Sequence, residues 1–94
     1  MKSNDLGRAP IEARGKTYWL SHHAADRALD MDVPIKIIQH ILAHGTRHDA
    51  PPGSKYQGAE VYRMGHVSVV AMPKPEGPTI VSVLWATVEA WRAA

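Results

Sequence analysis

The chain has 94 residues, eleven of them Lys or Arg and nine Asp or Glu, for a formal charge of +2 with its six histidines neutral. Cysteine is absent, which excludes a disulfide framework, a thiolate metal site and a cysteine nucleophile. Apolar residues make up 45%, an ordinary globular share, and no apolar run reaches the roughly 18 residues of a membrane-spanning helix, so one small cytoplasmic domain that touches no membrane is expected.

Residues 1–14 are polar and broken by Gly7 and Pro10, and they read as a loose arm made basic by Lys2, Arg8 and Arg14. The next segment, "KTYWL" at 16–20, is β-prone and suits a short strand or an extended lead-in. Residues 1–20 are therefore expected to be an N-terminal arm with one short strand at most, and 21–94 a single domain.

Ser21 has the character of a helix N-cap, because its hydroxyl can accept from a free N–H of the first turn. Behind it Ala24, Ala25, Ala28, Leu29 and Met31 fall on one side, while His23, Asp26, Arg27 and Asp30 fall on the other. The helix ends near Asp32, since Val33 precedes Pro34 and that position disfavours α geometry. Pro34 then opens a second helix. Ile35, Ile38, Ile41 and Leu42 form its buried stripe, with Ile37 on the flank, and Gly45 is its stop signal.

Residues 46–59, with two prolines and two glycines, read as one long loop. The period then changes to two. Segments 60–64, 66–73 and 79–85 predict three strands, and Gly65 and "KPEGP" are short enough to make them an antiparallel meander. Residues 86–94 suit a terminal helical turn or a continuation of the last strand. The expected fold class is α+β, with two N-terminal helices packed on an antiparallel sheet of three to four strands.

The chemistry concentrates on His23 and Arg27. Four residues apart, they lie one helical turn from each other on the same face. Histidine titrates near neutral pH and exchanges protons with a reacting group. Arginine stays charged and its planar fork matches phosphate oxygens. Cleavage of RNA by its own 2′-OH needs both properties. The same two residues would also suit a solvated face on which Arg27 pairs with Asp26 or Asp30.

Tyr62, Arg63 and His66 sit around the first meander turn and could meet phosphate or a base; an exposed strand end is the alternative. Arg47, His48 and Lys55 bring positive charge to the long loop, with Tyr56 as a stacking ring. Ser82 interrupts an apolar strand, where alternation places it with Ile80 and Leu84, opposite Val81, Val83 and Trp85. Its hydroxyl needs a partner, and His23 is a candidate; a small core serine satisfied elsewhere is the other. His40 and His44 stand at a spacing that can share zinc, but no Glu of the HExxH kind accompanies them and Gly45 ends the helix before His48. No cofactor is called for.

The segment "SHHAADRALDMDVPIKIIQHILAHG" resembles a family of small domains of unknown function, number 4258, through His23, Ala24, Arg27, Val33 and Gly45 of a His-Ala-x-x-Arg pattern. The strands "VYRMGHVSVVAM" and "TIVSVLW" extend the resemblance to roughly residues 21–85. It implies membership of the barnase, colicin and RelE-like group of metal-independent toxin ribonucleases. It further implies His23 as general acid or base, Arg27 as phosphate stabiliser and Ser82 at the family's last-strand Thr position. RNA would be the substrate, including ribosome-bound mRNA or tRNA, and an antitoxin or immunity protein would be the partner. In a ribonuclease of this kind Arg63, His66, Tyr62, Arg47 and Lys55 would be the residues that hold RNA. The competing function is a non-catalytic nucleic-acid- or protein-binding accessory module of a phage or mobile element, favoured by the low charge and by an inter-helix segment that lacks the pattern's basic residue.

Overall fold

The structure, a computed structural model, describes residues 10–93. Lys2, Arg8 and most of the expected basic arm lie outside the described residues. Among those described, six strands form one sheet: β1 (Pro10–Ala13), β2 (Lys16–Leu20), β3 (Thr46–Asp49), β4 (Glu60–Met64), β5 (Val67–Met72) and β6 (Thr79–Trp85). Their spatial order is β1-β2-β6-β5-β4-β3. The helices are α1 (His22–Asp30), α2 (Ile35–His44) and α3 (Val88–Ala93).

This overturns the expected fold of two N-terminal helices on an antiparallel sheet of three to four strands. The sheet has six strands and is mixed: β2 runs parallel to β6 through Trp19↔Thr79 and Leu20↔Ile80, and the other pairs are antiparallel. A hairpin precedes the helices, and a third helix follows the sheet. Because β2 pairs with β6, residues 10–13 and 16–20 belong to the same sheet as the later strands.

Two strands escaped the periodicity for physical reasons. In β1, Pro10 stands first in an edge strand, where its missing N–H breaks no ladder. The turn that follows has Arg14 at φ 52° and Gly15 at φ 73°, the double left-handed geometry of a two-residue hairpin. In β3, "TRHD", all four residues are exposed, so the strand is held by backbone pairing to β4 and carries no hydrophobic pattern to read.

The sheet is covered on both faces. On one, Ala24, Ala25 and Ala28 of α1 and Ile38, Ile41 and Leu42 of α2 pack against Tyr18, Leu20, Tyr62, Val69, Ile80 and Val83. Burial of each large aliphatic chain there contributes roughly 1.5–3 kcal/mol relative to exposure. On the other face Tyr56, Ala59, Val61, Val70 and Leu84 gather, with Ala90 and Trp91 of α3 against them. The alanines of α1 let the helix sit close to β6. Leu29, expected in the buried stripe, is 63% exposed, and Ile35 and Ile37 are also exposed.

A register shift between Val70 and Ala71 leaves Val81 without a partner on β5. The alternation expected for β6 is broken there, because a bulge inserts one residue. Ile80 therefore shares a core with Val83, while Val81 packs with Leu84 on the other face.

Gly45 ends α2, as its position predicts, but not for the usual reason. Its φ is −70°, open to any residue. A Cβ there would meet the Ile41 carbonyl oxygen at 2.5 Å and the Arg63 carbonyl oxygen at 2.9 Å, so the constraint is the close approach of the last turn of α2 on one side and of β4 on the other. Arg14, read from sequence as part of a loose arm, is tied to the same place. Its Nε donates to the Leu42 carbonyl, its Nη2 donates to the Gly45 carbonyl at 3.1 Å, and its guanidinium lies 5.0 Å from the centre of the Tyr62 ring. A fixed positive charge is thus held at the carbonyl end of α2, where the helix dipole favours it.

Candidate functional site

Ser21 caps α1 as expected, its Oγ accepting from the Ala24 N–H at 3.1 Å. The cap sets the helical register, and the alanines turned toward the sheet leave His23 and Arg27 on the side toward the end of β6. Ser21 N–H donates to the Ile80 carbonyl, the last such bond from the β2 side. Beyond it α1 takes the place of a neighbouring strand along β6. Arg27 Nε donates to the Val83 carbonyl at 3.4 Å, so its half-buried guanidinium is anchored at the open edge of β6. Its Nη2 lies 3.8 Å from Met31 Sδ.

The loop after β3 supplies the opposite wall. It is organised by its own backbone: Ala50 N–H donates to Ala59 O, Ser54 N–H to Pro51 O, and Ala59 N–H to Tyr56 O. This order buries Tyr56, whose ring meets Trp91 edge-on at 6.4 Å. The Tyr56 hydroxyl lies 3.5 Å from His23 Nε2. Lys55 Nζ stands 5.7 Å from the centre of the Tyr56 ring. The third wall is α3, capped by Thr87, whose Oγ1 accepts from Ala90 N–H at 3.1 Å.

Together these elements enclose a cleft of about 500 Å³ lined by His23, Arg27, Lys55, Tyr56, Trp85 and Glu89, among others. Two permanent cations, one imidazole, one carboxylate and a phenol thus face one hollow with an exposed indole at its rim. The imidazole and carboxylate can exchange protons, the guanidinium and ammonium can meet developing anionic charge, and the indole offers a stacking plane.

No protein-family model, no curated protein and no solved structure matches this chain.

Of the residues singled out from sequence, His23, Arg27, Lys55 and Tyr56 share this cleft. Ser82, Tyr62, Arg47, Arg63 and His66 do not line it. Ser82 is fully buried, and among the described residues its hydroxyl has no hydrogen-bond partner, His23 included. The predicted His23–Ser82 pairing is replaced by His23 and Tyr56, because the bulge and the helix position put Ser82 under the sheet surface, opposite Val70. Tyr62 is also buried and is unavailable to a ligand: its hydroxyl donates to Glu60 Oε1 at 2.9 Å and its ring meets Tyr18 edge-on at 6.3 Å. Burial, the bond to Tyr18 and the bond to Glu60 push its pKa well above the ordinary tyrosine value.

Arg47 is exposed and paired with Glu60 at 3.0 Å. The hydrogen bond to Glu60 and its charge raise the Arg47 pKa further, and the same bond from Arg47 holds Glu60 below the usual carboxylate range. His66 is exposed in the β4–β5 turn, its carbonyl accepting from Ala86 N–H at 2.8 Å. Arg63 is exposed on β4, with Nε donating to the Gly65 carbonyl at 3.4 Å, and lines a different hollow. The rings of His40 and His44 lie 4.8 Å apart, yet among the described residues no three His, Asp or Glu side chains gather as metal ligands would.

Trp85 and Glu89 are cleft residues that sequence reasoning did not single out. Neither carries a local signal. Trp85 reads as the last residue of an apolar strand, and Glu89 as a charge in an unassigned tail. Each enters the site through packing that the bulge in β6 and the turn into α3 decide.

Proposed function

We propose that the chain is a metal-independent endoribonuclease of the toxin type, and that the cleft between α1, the β3–β4 loop and α3 is its active site. One observation supports this reading most: His23, Arg27 and Lys55, on two elements distant in sequence, converge on one hollow together with Tyr56. The His-Ala-x-x-Arg resemblance to family 4258 and its ribonuclease relatives points the same way.

In this reading RNA lies with a phosphodiester against Arg27 and Lys55. The 2′-oxygen attacks phosphorus, its proton passes to a cleft base, and the bond to the 5′-oxygen breaks. The departing 5′-oxygen takes a proton from a cleft acid. The products are a 2′,3′-cyclic phosphate and a 5′-hydroxyl. His23 is one of the two proton carriers, and Glu89 is the other titratable group placed to complete the pair. Arg27, already fixed by the Val83 carbonyl, is pre-oriented to meet the charge that builds on the phosphorane oxygens. Ser82 has no direct part. An antitoxin partner would cover this cleft and shield its cations.

The test is induced expression in bacteria of the wild-type chain and of His23→Ala, with the purified proteins incubated with RNA in EDTA. The expected result is growth arrest and 2′,3′-cyclic ends with the wild type, in the presence of EDTA, and neither with His23→Ala. Arrest that persists in His23→Ala, or cleavage that EDTA abolishes, overturns the proposal. RNA that is bound but uncut places the chain among accessory binding modules.

A further inference from the structure

A second hollow, of about 620 Å³, lies between the β3–β4 loop, the sheet and α3. Lys55 and Thr87 line both this hollow and the His23 cleft, so the two meet across the loop and the start of α3. Arg63, Arg92 and His48 surround the second hollow together with Lys55, and among the described residues no Asp or Glu lines it. Among the described residues the ion pair is Arg47–Glu60, which leaves Lys55, Arg63 and Arg92 without carboxylate partners. On a chain with a net charge of only +2, three unpaired cations around one concavity make a local positive field that the composition does not reveal. Trp91 forms part of the wall, half-buried, its ring in a T-shaped contact with that of Tyr56.

The geometry points to this hollow as the subsite for an unpaired nucleotide that flanks the scissile phosphate. The inference rests on the ribonuclease reading of the adjacent cleft for the polymer that enters it. The cations hold the phosphates as the strand passes Lys55, and the base stacks on Trp91. A single strand fits this arrangement because its bases are free to turn onto an aromatic face, whereas duplex bases are already stacked on one another. Arg92 and Trp91 come from α3 and Arg63 from β4, so the subsite depends on α3 folding back over the sheet.

The test uses the full chain and a labelled single-stranded oligonucleotide with 2′-O-methyl sugars, which has no attacking hydroxyl and stays intact. Binding is followed by anisotropy over a series of salt concentrations. The double variant Arg63→Ala with Arg92→Ala replaces two exposed side chains and leaves the core untouched. It is expected to bind about tenfold more weakly or worse, with the slope of log K against log salt flattened by about 0.7 for each cation removed. Trp91→Leu is expected to weaken a base-bearing strand about tenfold and to leave an abasic strand of equal charge unaffected, which separates lost stacking from lost folding. Unchanged affinity and slope in the double variant overturn the inference, as does equal weakening of the two strands by Trp91→Leu. A wild-type chain that binds through these cations but leaves natural RNA uncut removes the nuclease reading and keeps the subsite.

Discussion

The Tyr56 hydroxyl stands 3.5 Å from His23 Nε2, across 33 positions of sequence. The ring is held by burial and by its edge contact with Trp91, so the phenol is a fixed point against which the imidazole is oriented. When the imidazole carries no proton on Nε2, the phenol donates to it. When Nε2 is protonated, it donates to the phenol oxygen. Either way the ring is kept facing the hollow that also holds Arg27 and Lys55.

Tyr56→Phe keeps the ring and its packing and removes this one contact. The expected outcome is a fall of about tenfold in the single-turnover rate of RNA cleavage, less than the roughly 100-fold or more expected on loss of a proton carrier itself, because Tyr56 orients His23 and carries no proton in the reaction. The apparent affinity for RNA and the melting temperature should stay close to those of the wild type. An unchanged rate would reduce the Tyr56–His23 approach to packing.

Glu89 faces the same cleft from α3. Glu89→Gln preserves shape and removes the carboxylate's ability to take a proton. If Glu89 and His23 divide the two proton transfers, the variant loses about 100-fold in rate, and one limb of the pH–rate profile disappears while the other remains. Glu89→Gln with Tyr56→Phe then reports whether the two side chains act on one step. Effects that multiply indicate independent roles, and effects that do not indicate a shared network.

What the sequence revealed about this site follows from how each feature is encoded. The α1 cap, the His23–Arg27 face and the three meander strands are local patterns of period 3.6 or two, and the structure has them where the patterns fall. The cleft is not local. Its opposite wall is a Pro- and Gly-rich loop whose order comes from turn hydrogen bonds, and its third wall is a six-residue helix too short to announce itself by periodicity. Arg14 shows the same limit from the other side: a charge in a polar stretch reads as solvated until the hairpin turn carries it to the end of α2. Ser82 and Tyr62 lie buried away from the cleft, because residue type suggests chemistry but burial decides access.

Arg14 and Gly45 predict a shared stability locus at the α2–β4 junction. Arg14→Ala removes two donors from helix-end carbonyls and a cation beside Tyr62, and is expected to cost about 1–2 kcal/mol. In a domain of this size each kcal/mol lowers the melting temperature by about 4–8 °C. Gly45→Ala drives a methyl into backbone oxygen on two sides. It should cost at least the 1–3 kcal/mol typical of overpacking, and more than Gly→Ala at the open turn position Gly53, where a Cβ meets no neighbour and the cost is the left-handed backbone alone. Denaturant midpoints of the three variants check the order.

Glu60 and Tyr62 share a hydrogen bond and predict opposite pH limits to stability. The Glu60 carboxyl is held below its ordinary value of 4.5, first by the bond from Arg47 and then by the bond from Tyr62. A depressed pKa means the folded chain binds the proton less readily than the unfolded one, so this contribution is present above about pH 4.5 and fades as pH falls through the folded value. The Tyr62 phenol is raised above its ordinary value of 10.0, first by burial. Its contribution is complete below pH 10 and is lost as pH rises beyond that toward the folded value, because unfolding then releases a proton the native state retains. Glu60→Gln should therefore flatten the acid limb of stability against pH and reduce the alkaline limb only by the share of the lost bond, because burial and Tyr18 still raise Tyr62, while Tyr62→Phe flattens the alkaline limb and reduces the acid limb only in part, because Arg47 still lowers Glu60. Urea midpoints measured from pH 3 to 7 and from pH 8 to 11 separate the two. In the alkaline series, part of the tyrosinate absorbance should rise together with unfolding, and the share that belongs to Tyr62 should be absent from Tyr62→Phe.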